Sequence, residues 1–244
     1  MSNVHFSNKG YCPVCEEKSE FRAYSDNFRS SYICVRCRSV PRHRALMHVL
    51  ARFFPNWRNL RIHESSPGPV EVSRKLKREC QGYVATQYDP AQSRGSIDAR
   101  GWRNEDLEHQ TFGNEVFDLV ITQDVFEHLL NPDLAIREIE RTLVQGGAHI
   151  ATVPLVRKTA PSRRRAQQGV DNKLEHILPP TYHQNPIDTC GSLVTVDWGF
   201  DIAAFFDSQA NLNTTILFID NLDIGIRAEL CEVLLCLKGW QLTI

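Results

Sequence analysis

An apolar segment followed by a sharply delimited helical pattern constrains the fold of this 244-residue chain more than any other feature. The segment VFDLVIT (116–122) is a nearly continuous apolar run, typical of a strand buried on both faces of a parallel sheet. In NPDLAIREIERTLVQGG, we expect Asn131 to cap a helix, Pro132 to occupy its first turn, and Gly146 and Gly147 to end it. The two patterns together predict one strand-then-helix unit.

The same alternation recurs along the chain. Further strands are predicted at LRIHE, GYVATQY and AHIATVP, and two late strands, TTILFID and ELCEVLLCLKG, are expected to pair antiparallel at one end of the sheet. Helices are predicted at PVEVSRKLKREC and DIAAFFDSQANL. This order predicts an α/β fold with a doubly wound, mostly parallel sheet. Such sheets bind ligands at the carboxyl ends of their strands.

Four of the eight cysteines have the spacing of a structural zinc site. Cys12 and Cys15 are separated by two residues, as are Cys34 and Cys37, and 18 residues lie between the pairs. The sequence shows neither a secretory signal nor an apolar run long enough for a membrane span, so we expect a cytoplasmic protein with reduced thiols. The spacing predicts a ribbon that binds Zn²⁺; two unrelated thiol pairs are the alternative.

The chain is predicted to have three parts. Residues 1–40 would form the zinc-binding ribbon or knuckle, 41–57 a connecting helix, and 58–244 the main domain with a substrate insert at 155–200. A segment of about 30 residues cannot bury a sufficient core, so metal binding would supply the folding energy of the ribbon.

The connecting helix carries an apolar face and a basic cluster. Pro41 suits its first turn and Pro55 would end it. The apolar face consists of Leu46, Val49, Leu50 and Phe53. The basic residues Arg42, His43 and Arg44 are expected to form a solvated flank, or alternatively to contact an anionic part of a cofactor or substrate.

The charge balance argues against a broad phosphate-binding surface. The formal net charge is -1 and the pI is about 6.7. Proteins that bind nucleic acid through a broad contact with phosphates usually carry a basic excess. A small-molecule partner is therefore expected, with nucleic acid a less favoured alternative and no membrane partner.

The segment FDLVITQDVFEHLLNPDLAIREIERTLVQGGAHIATVP (117–154) closely resembles the middle of class I S-adenosylmethionine-dependent methyltransferases. The shared features are FDLV, a strand end followed by EH, a proline-containing helix, L-x-x-GG and a strand ending in proline. The resemblance covers roughly residues 58–238, and the N-terminal cysteine pairs with the Arg-rich helix resemble a subgroup that carries a zinc module. It implies a Rossmann-like methyltransferase fold, S-adenosylmethionine as cofactor and methyl transfer as the reaction.

The resemblance also implies where the cofactor binds. It assigns cofactor contacts to Glu64, Ser65, Ser66, Gly68, Gln87, Asp89, Asp106, Leu107, Gln123 and Asp124. In ESSPG, Glu64 occupies the family's acid and Gly68 its second glycine, whereas Ser66 replaces the first glycine. We expect Ser66 to keep a negative φ, because a positive φ costs about 1 kcal/mol or more outside glycine.

The ribose position departs from the family and the adenine position does not. Gln87 or Tyr88 stands where the family has an acid for the ribose hydroxyls, and Asp89 follows one or two residues late. Asp106 corresponds to the acid that binds the adenine amine, with Leu107 beside the ring.

Methyl transfer to a neutral nucleophile also requires a proton acceptor. His128, after the strand VFDLVIT, is the first candidate, with a structural role at the helix start as the alternative. The long insert supplies Tyr182 and His183 as further candidates, together with His176 and Asp197, because long insertions in compact domains usually form lids or substrate walls.

Three functions compete at this point. The first is methyl transfer to a hydroxyl, amine or carbon of a small molecule or biosynthetic intermediate. The second is methylation of ribosomal RNA, and the third is a non-catalytic, methyltransferase-like binding protein, which the departures at Ser66 and Gln87 would suit.

Overall fold

The computed structural model describes residues 3–171, 173–183 and 190–239. Its N-terminal part, which we call the N-terminal ribbon, is a three-stranded antiparallel sheet with one helical turn between its second and third strands. These elements are β1 (Phe6–Cys12), β2 (Glu17–Ala23), α1 (Phe28–Ser31) and β3 (Ile33–Cys34).

The expected connecting helix is present as α2 (Pro41–Phe53) and packs on the sheet of the main domain. Its basic residues do not form a solvated flank. Arg44 is fully buried, with Nε donating to Gly225 O at 2.7 Å and Nη2 donating to Tyr32 O at 2.9 Å, and His43 is also buried. Phe53, which was assigned to the apolar face, is 51% exposed. The N-terminal ribbon covers the side of α2 that the helical pattern alone predicts to be exposed to solvent.

The main domain contains a seven-stranded sheet in the order β15-β16-β8-β7-β4-β5-β6. All strands run parallel except β16, which is antiparallel to both of its neighbours. The elements are β4 (Arg61–Ser65), α3 (Glu71–Glu79), β5 (Gly82–Gln87), β6 (Arg103–Asn104), β7 (Phe117–Gln123), α4 (Pro132–Thr142), β8 (Leu143–Thr152), β9 (Arg163–Arg164), β10 (Ala166–Gln168), β11 (Leu174–His176), β12 (Tyr182–His183), β13 (Ser192–Leu193), β14 (Val196–Asp197), α5 (Ile202–Gln209), β15 (Leu212–Leu217) and β16 (Val233–Lys238).

Apolar cores lie on both faces of this sheet. One joins α2, α3 and the N-terminal ribbon to the sheet, and the other joins α4 and α5 to the opposite face. The predicted doubly wound α/β fold is therefore confirmed, as is the antiparallel pairing of the two late strands. Within the described part of the chain, every helix is too short or too polar to span a bilayer.

The helix α4 begins at Pro132 as expected but ends four residues before the glycine pair. Leu143 already belongs to β8, and Gly146 and Gly147 lie inside that strand. Gly146 has a φ of 74°, and a Cβ on Gly147 would lie 2.9 Å from the carbonyl oxygen of Asp118 on β7. The glycines permit this close approach of two strands rather than ending the helix.

Asn131 also differs from its expected role. Its side chain makes no capping bond; its backbone N and its Nδ2 instead donate to the carboxylate of Glu108, each at 2.8 Å.

The insert between β8 and α5 contains three short antiparallel pairs, β9–β14, β10–β11 and β12–β13. It docks on the turn that follows β7, where Thr195 N donates to the carbonyl oxygen of Glu127 at 2.7 Å. This contact brings the insert to the carboxyl edge of the sheet.

Candidate active site

The loop after β4 makes the turn that a glycine would normally make. Ser66 has a φ of 55°, so the expectation of a negative φ at this position is wrong. Its backbone N donates to Thr86 O on β5 at 2.8 Å, and this bond holds the loop in the left-handed conformation. Gly68 is not among the residues with positive φ. The serine thus keeps the glycine-type turn at a conformational cost of about 1 kcal/mol or more.

Glu64 lies at the end of β4 and is completely buried. Its carboxylate accepts hydrogen bonds from Ser73 Oγ at 2.7 Å, Tyr83 OH at 2.6 Å and Gln123 Nε2 at 2.6 Å. Burial raises the pKa of this carboxyl, and the three donors oppose that rise. Glu64 and Gln123, both expected to contact the cofactor, are thus bonded to each other across β4 and β7.

A cavity of about 450 Å³ opens at the ends of β5 and β6. Tyr88 and Asp106 line it, and Asp106 Oδ1 accepts a hydrogen bond from Glu108 N at 2.9 Å. Pockets of this size hold small ligands in proteins. Asp106, the acid that the resemblance assigns to adenine, therefore lines a cavity at this edge of the sheet.

Other residues expected to contact the cofactor lie outside the lining of this cavity. Gln87 is partly buried at the end of β5, and Leu107 is buried in the core beneath α4. Asp89 is exposed; its backbone N donates to Asn104 Oδ1, and its Oδ1 accepts from Ala91 N. Asp89 thus shapes the loop beside Tyr88. Ser65 is buried as the last residue of β4.

Asp124 follows β7 directly, with a φ of 52°, and joins the sheet to the N-terminal ribbon. Its Oδ2 pairs with Arg29 Nη2 at 2.7 Å and with Arg42 Nε at 3.1 Å, and its Oδ1 accepts from Thr152 Oγ1 at 3.0 Å. Two guanidinium groups from outside the sheet therefore meet one carboxylate at its ligand-binding edge.

Glu127, His128 and His183 meet beside Asp124. His128 lies in a single 3-10 turn, Phe126–His128, and its Nδ1 is 2.8 Å from Leu193 O. The carboxylate of Glu127 lies 3.7 Å from His128 Nε2 and 3.6 Å from His183 Nδ1. Both distances exceed those of a hydrogen bond, but the carboxylate still raises the pKa of His183. Two of the three catalytic candidates are thus brought together.

The third catalytic candidate does not join them. Tyr182 precedes His183 on β12 and is 53% exposed, since successive side chains of a strand point to opposite faces. Asp197 is paired with Arg163 at 3.0 Å and Arg165 at 2.9 Å, and His176 is exposed on β11. The segment that follows His183 in the expected substrate wall, 184–189, lies outside the described residues.

Residues 64–151 match the family model described as a methyltransferase domain. The matched segment runs from Glu64, near the end of β4, into β8 and contains α3, β5, β6, β7 and α4. The fold is similar to that of an S-adenosylmethionine-dependent methyltransferase from Mesorhizobium loti, with 12% identity over 80% of this chain and 98% of that one and a TM-score of 0.51.

Two further solved structures are similar at lower TM-scores. The YcgJ protein of Bacillus subtilis has 11% identity over 72% of this chain and 71% of its own, with a TM-score of 0.46. A SAM-dependent methyltransferase from Methanosarcina mazei has 10% identity over 78% of this chain and 98% of its own, with a TM-score of 0.43. Comparison with curated proteins gave no significant match.

A second cavity, of about 770 Å³, lies where the N-terminal ribbon meets the edge of the main domain. Its lining combines aromatic and charged side chains: Phe28, Arg29, Lys158, Phe218, Arg227 and Glu232. Arg29 belongs both to this lining and to the ion pair with Asp124. The cavity thus lies on the side of Asp124 that the ribbon covers.

The four cysteines of the ribbon converge. Cys12 Sγ is 3.7 Å from Cys37 Sγ, Cys15 Sγ is 4.0 Å from Cys34 Sγ, and the four sulfurs lie within 4.8 Å of one another. A tetrahedral zinc site with Zn–S bonds of about 2.3 Å needs sulfurs about 3.8 Å apart. The Cys12–Cys37 and Cys15–Cys34 separations are close to this spacing, so the four cysteines fit a zinc ion.

Sequence reasoning gave no role to two residues of this site. Glu127 is the acid of the EH step after the strand VFDLVIT, and its place directly before His128 could have suggested a pair. Arg29 gave no signal, because its partner Asp124 is 95 residues away in the sequence.

Proposed function

We propose that this chain is an S-adenosylmethionine-dependent methyltransferase that methylates a hydroxyl, amine or carbon of a small molecule or biosynthetic intermediate. The observation that carries the proposal is the cavity of about 450 Å³ at the ends of β5 and β6, which Tyr88 and Asp106 line within the matched segment. When bound, the cofactor supplies a methyl group on a positively charged sulfur.

The cofactor would be held by the edge of the sheet. Asp106 would accept from the adenine amine, and the exposed ring of Tyr88 offers an apolar face to the base. The turn at Ser66 would allow the backbone to approach the cofactor as a glycine turn does. Glu64 supports this turn from below and contacts only protein side chains among the described residues.

The acceptor would lie between the second cavity and the cluster of Glu127, His128 and His183. His128 Nδ1 faces the carbonyl of Leu193, so Nδ1 carries the proton of a neutral ring and the lone pair is on Nε2. This lone pair faces the cluster of Glu127, His128 and His183. We keep His128 and His183 as the groups that promote proton removal, and we assign Tyr182 no part in that step.

The four-cysteine cluster would bind a structural Zn²⁺ through Cys12, Cys15, Cys34 and Cys37. Ser19 Oγ lies 3.1 Å from Cys34 Sγ and Ser39 Oγ lies 3.1 Å from Cys37 Sγ, so two thiolates have hydroxyl donors nearby. Four sulfurs close the coordination shell, which assigns the ion a role in folding rather than catalysis.

The experiment is a calorimetric titration with S-adenosylmethionine. Wild type should bind it, and Asp106→Asn should weaken binding by at least about tenfold, because a hydrogen bond to a charged acceptor contributes roughly 1.5–3 kcal/mol. The matched control is Asp118→Asn, which removes an acid at the opposite edge of the sheet, where Asp118 pairs with Arg61 at 2.8 Å. The control should bind as wild type does.

Other outcomes would point to the competing functions. No binding by wild type at millimolar cofactor would overturn the proposal and favour a non-catalytic protein. Salt-sensitive retention of RNA, together with methyl transfer to it, would favour the RNA methyltransferase.

A further inference from the structure

Glu127 carries a buried carboxylate that the protein leaves without a hydrogen bond. The side chain is 2% exposed, and neither of its oxygens has a hydrogen-bond partner among the described residues. Burying a charge without a partner is costly, and buried charges are normally paired, hydrogen-bonded or bound to a metal. The nearest basic groups are the two imidazoles of His128 and His183, both beyond hydrogen-bond distance.

The three side chains are held by contacts that aim them at one point. His128 is oriented through Nδ1 by the carbonyl of Leu193, and His183 is held on β12 by its pairing with Ser192 on β13. The backbone of Glu127 accepts from Thr195 N at 2.7 Å. A ring nitrogen bonded to a backbone carbonyl is the usual arrangement of a histidine that binds metal through its other nitrogen.

We propose that Glu127, His128 and His183 bind a divalent transition-metal cation. One ligand atom from each residue lies within 4.8 Å of the others. Metal–ligand distances of about 2.0–2.2 Å place neighbouring ligand atoms about 3.5 Å apart in a tetrahedral arrangement, close to the separations seen here. Two histidines and one carboxylate, with the remaining positions open, suit such ions as Mn²⁺, Fe²⁺, Co²⁺ or Zn²⁺.

Neighbouring charges do not replace the cation. Asp124 is already matched by Arg29 and Arg42, so it adds little net negative charge to the cluster. The same pairing keeps Arg29 directed at Asp124 rather than at Glu127. The charge of Glu127 thus remains for a ligand to compensate.

The catalytic consequence rests on the proposed function. A cation with open positions would bind the acceptor's oxygen or nitrogen and lower its pKa, so that the proton leaves more readily. Metal binding itself does not depend on the proposed function, and this binding can be measured without S-adenosylmethionine.

The test is a titration with Mn²⁺ of protein that carries one equivalent of Zn²⁺, the equivalent that the four thiolates hold, with the excess zinc removed. Binding is followed by the loss of the electron paramagnetic resonance signal of the free Mn²⁺. Mn²⁺ favours oxygen and nitrogen ligands over thiolates, so the four-cysteine cluster will not compete for it. Wild type should bind about one Mn²⁺ per chain. His183→Ala and Glu127→Gln should weaken binding by at least about 100-fold, which exceeds the usual effect of removing a supporting contact.

His176→Ala is the matched control, because it removes an exposed histidine from the same insert. It should bind Mn²⁺ as wild type does. The proposal is overturned if wild type binds neither Mn²⁺ nor Co²⁺ beyond the cysteine cluster, or if the two ligand variants bind as tightly as wild type. Metal binding without cofactor binding would support this site while refuting the proposed function.

Discussion

Two glutamates at the carboxyl edge of the sheet are equally buried but differ in the number of hydrogen bonds that their carboxylates accept. Glu64, at the end of β4, is 0% exposed and accepts from three neutral donors. Glu127, after β7, is 2% exposed and has no hydrogen-bond partner among the described residues. The carboxylate of Glu64 has protein hydrogen-bond donors, whereas the charge of Glu127 needs a bound ligand to compensate it.

The difference teaches that burial of a carboxylate does not by itself mark a binding group. Glu64 occupies the position where the family resemblance implies a cofactor contact, but its acceptor capacity is used to hold α3, β5 and β7 around β4. Glu127 has no such structural bonds. A functional role is therefore better supported for the acid that the sequence singled out less clearly.

The largest expected effect is a loss of stability on substitution of Glu64, whose carboxylate accepts three hydrogen bonds. Glu64→Ala should lower the free energy of unfolding by at least about 3 kcal/mol, because Ser73, Tyr83 and Gln123 would all lose a buried acceptor. Urea unfolding measures it. A loss below about 1 kcal/mol would show that water reaches these donors and that the three hydrogen bonds to Glu64 contribute little to stability.

Substitution of Glu127 should change the free energy of unfolding in the opposite direction. Glu127→Gln should raise the free energy of unfolding by about 1–2 kcal/mol at neutral pH in protein that carries zinc in the cysteine cluster and no other metal, since it removes a buried charge without a partner. Added Mn²⁺ should then stabilise wild type and not the variant. Destabilisation of the variant without Mn²⁺ would mean that Glu127 makes structural bonds after all, and the contrast between the two glutamates would fail.

The smallest expected effect lies in the loop next to Glu64. Ser66→Gly should stabilise the protein by about 1 kcal/mol, because glycine adopts the positive φ of this position without strain. Ser65→Gly is the control; it lies in β4, so it should destabilise by roughly 0.5–1 kcal/mol. Thermal unfolding of both variants measures the difference. Equal effects would show that the loop stores no strain.

The sequence predicted those features that depend on local pattern. The strands and helices of the sheet, the start of α4 at Pro132 and the cysteine spacing all follow from residue periodicity, turn chemistry or ligand spacing. Asp106 beside a cavity, and His128 near His183, follow from the rule that ligands bind at the carboxyl ends of parallel strands.

The remaining features depend on contacts between distant segments. Arg44 is buried because the ribbon covers α2, and Gly147 is required by the backbone of Asp118 on the adjacent strand. Ser66 takes a positive φ because its N–H reaches Thr86 O. In each of these contacts the two residues are far apart in the sequence, so a local sequence pattern cannot predict the contact.

The link from Arg29 to Asp124 affects how this chain can be divided for study. Arg29 lies between the two cysteine pairs, and one apolar core is shared by the ribbon, α2 and the sheet. A fragment that begins at residue 58 would expose that face to water and leave Asp124 without its two cationic partners. Because the three predicted parts share this core, we expect truncated proteins to be unsuitable for assigning activity to the main domain.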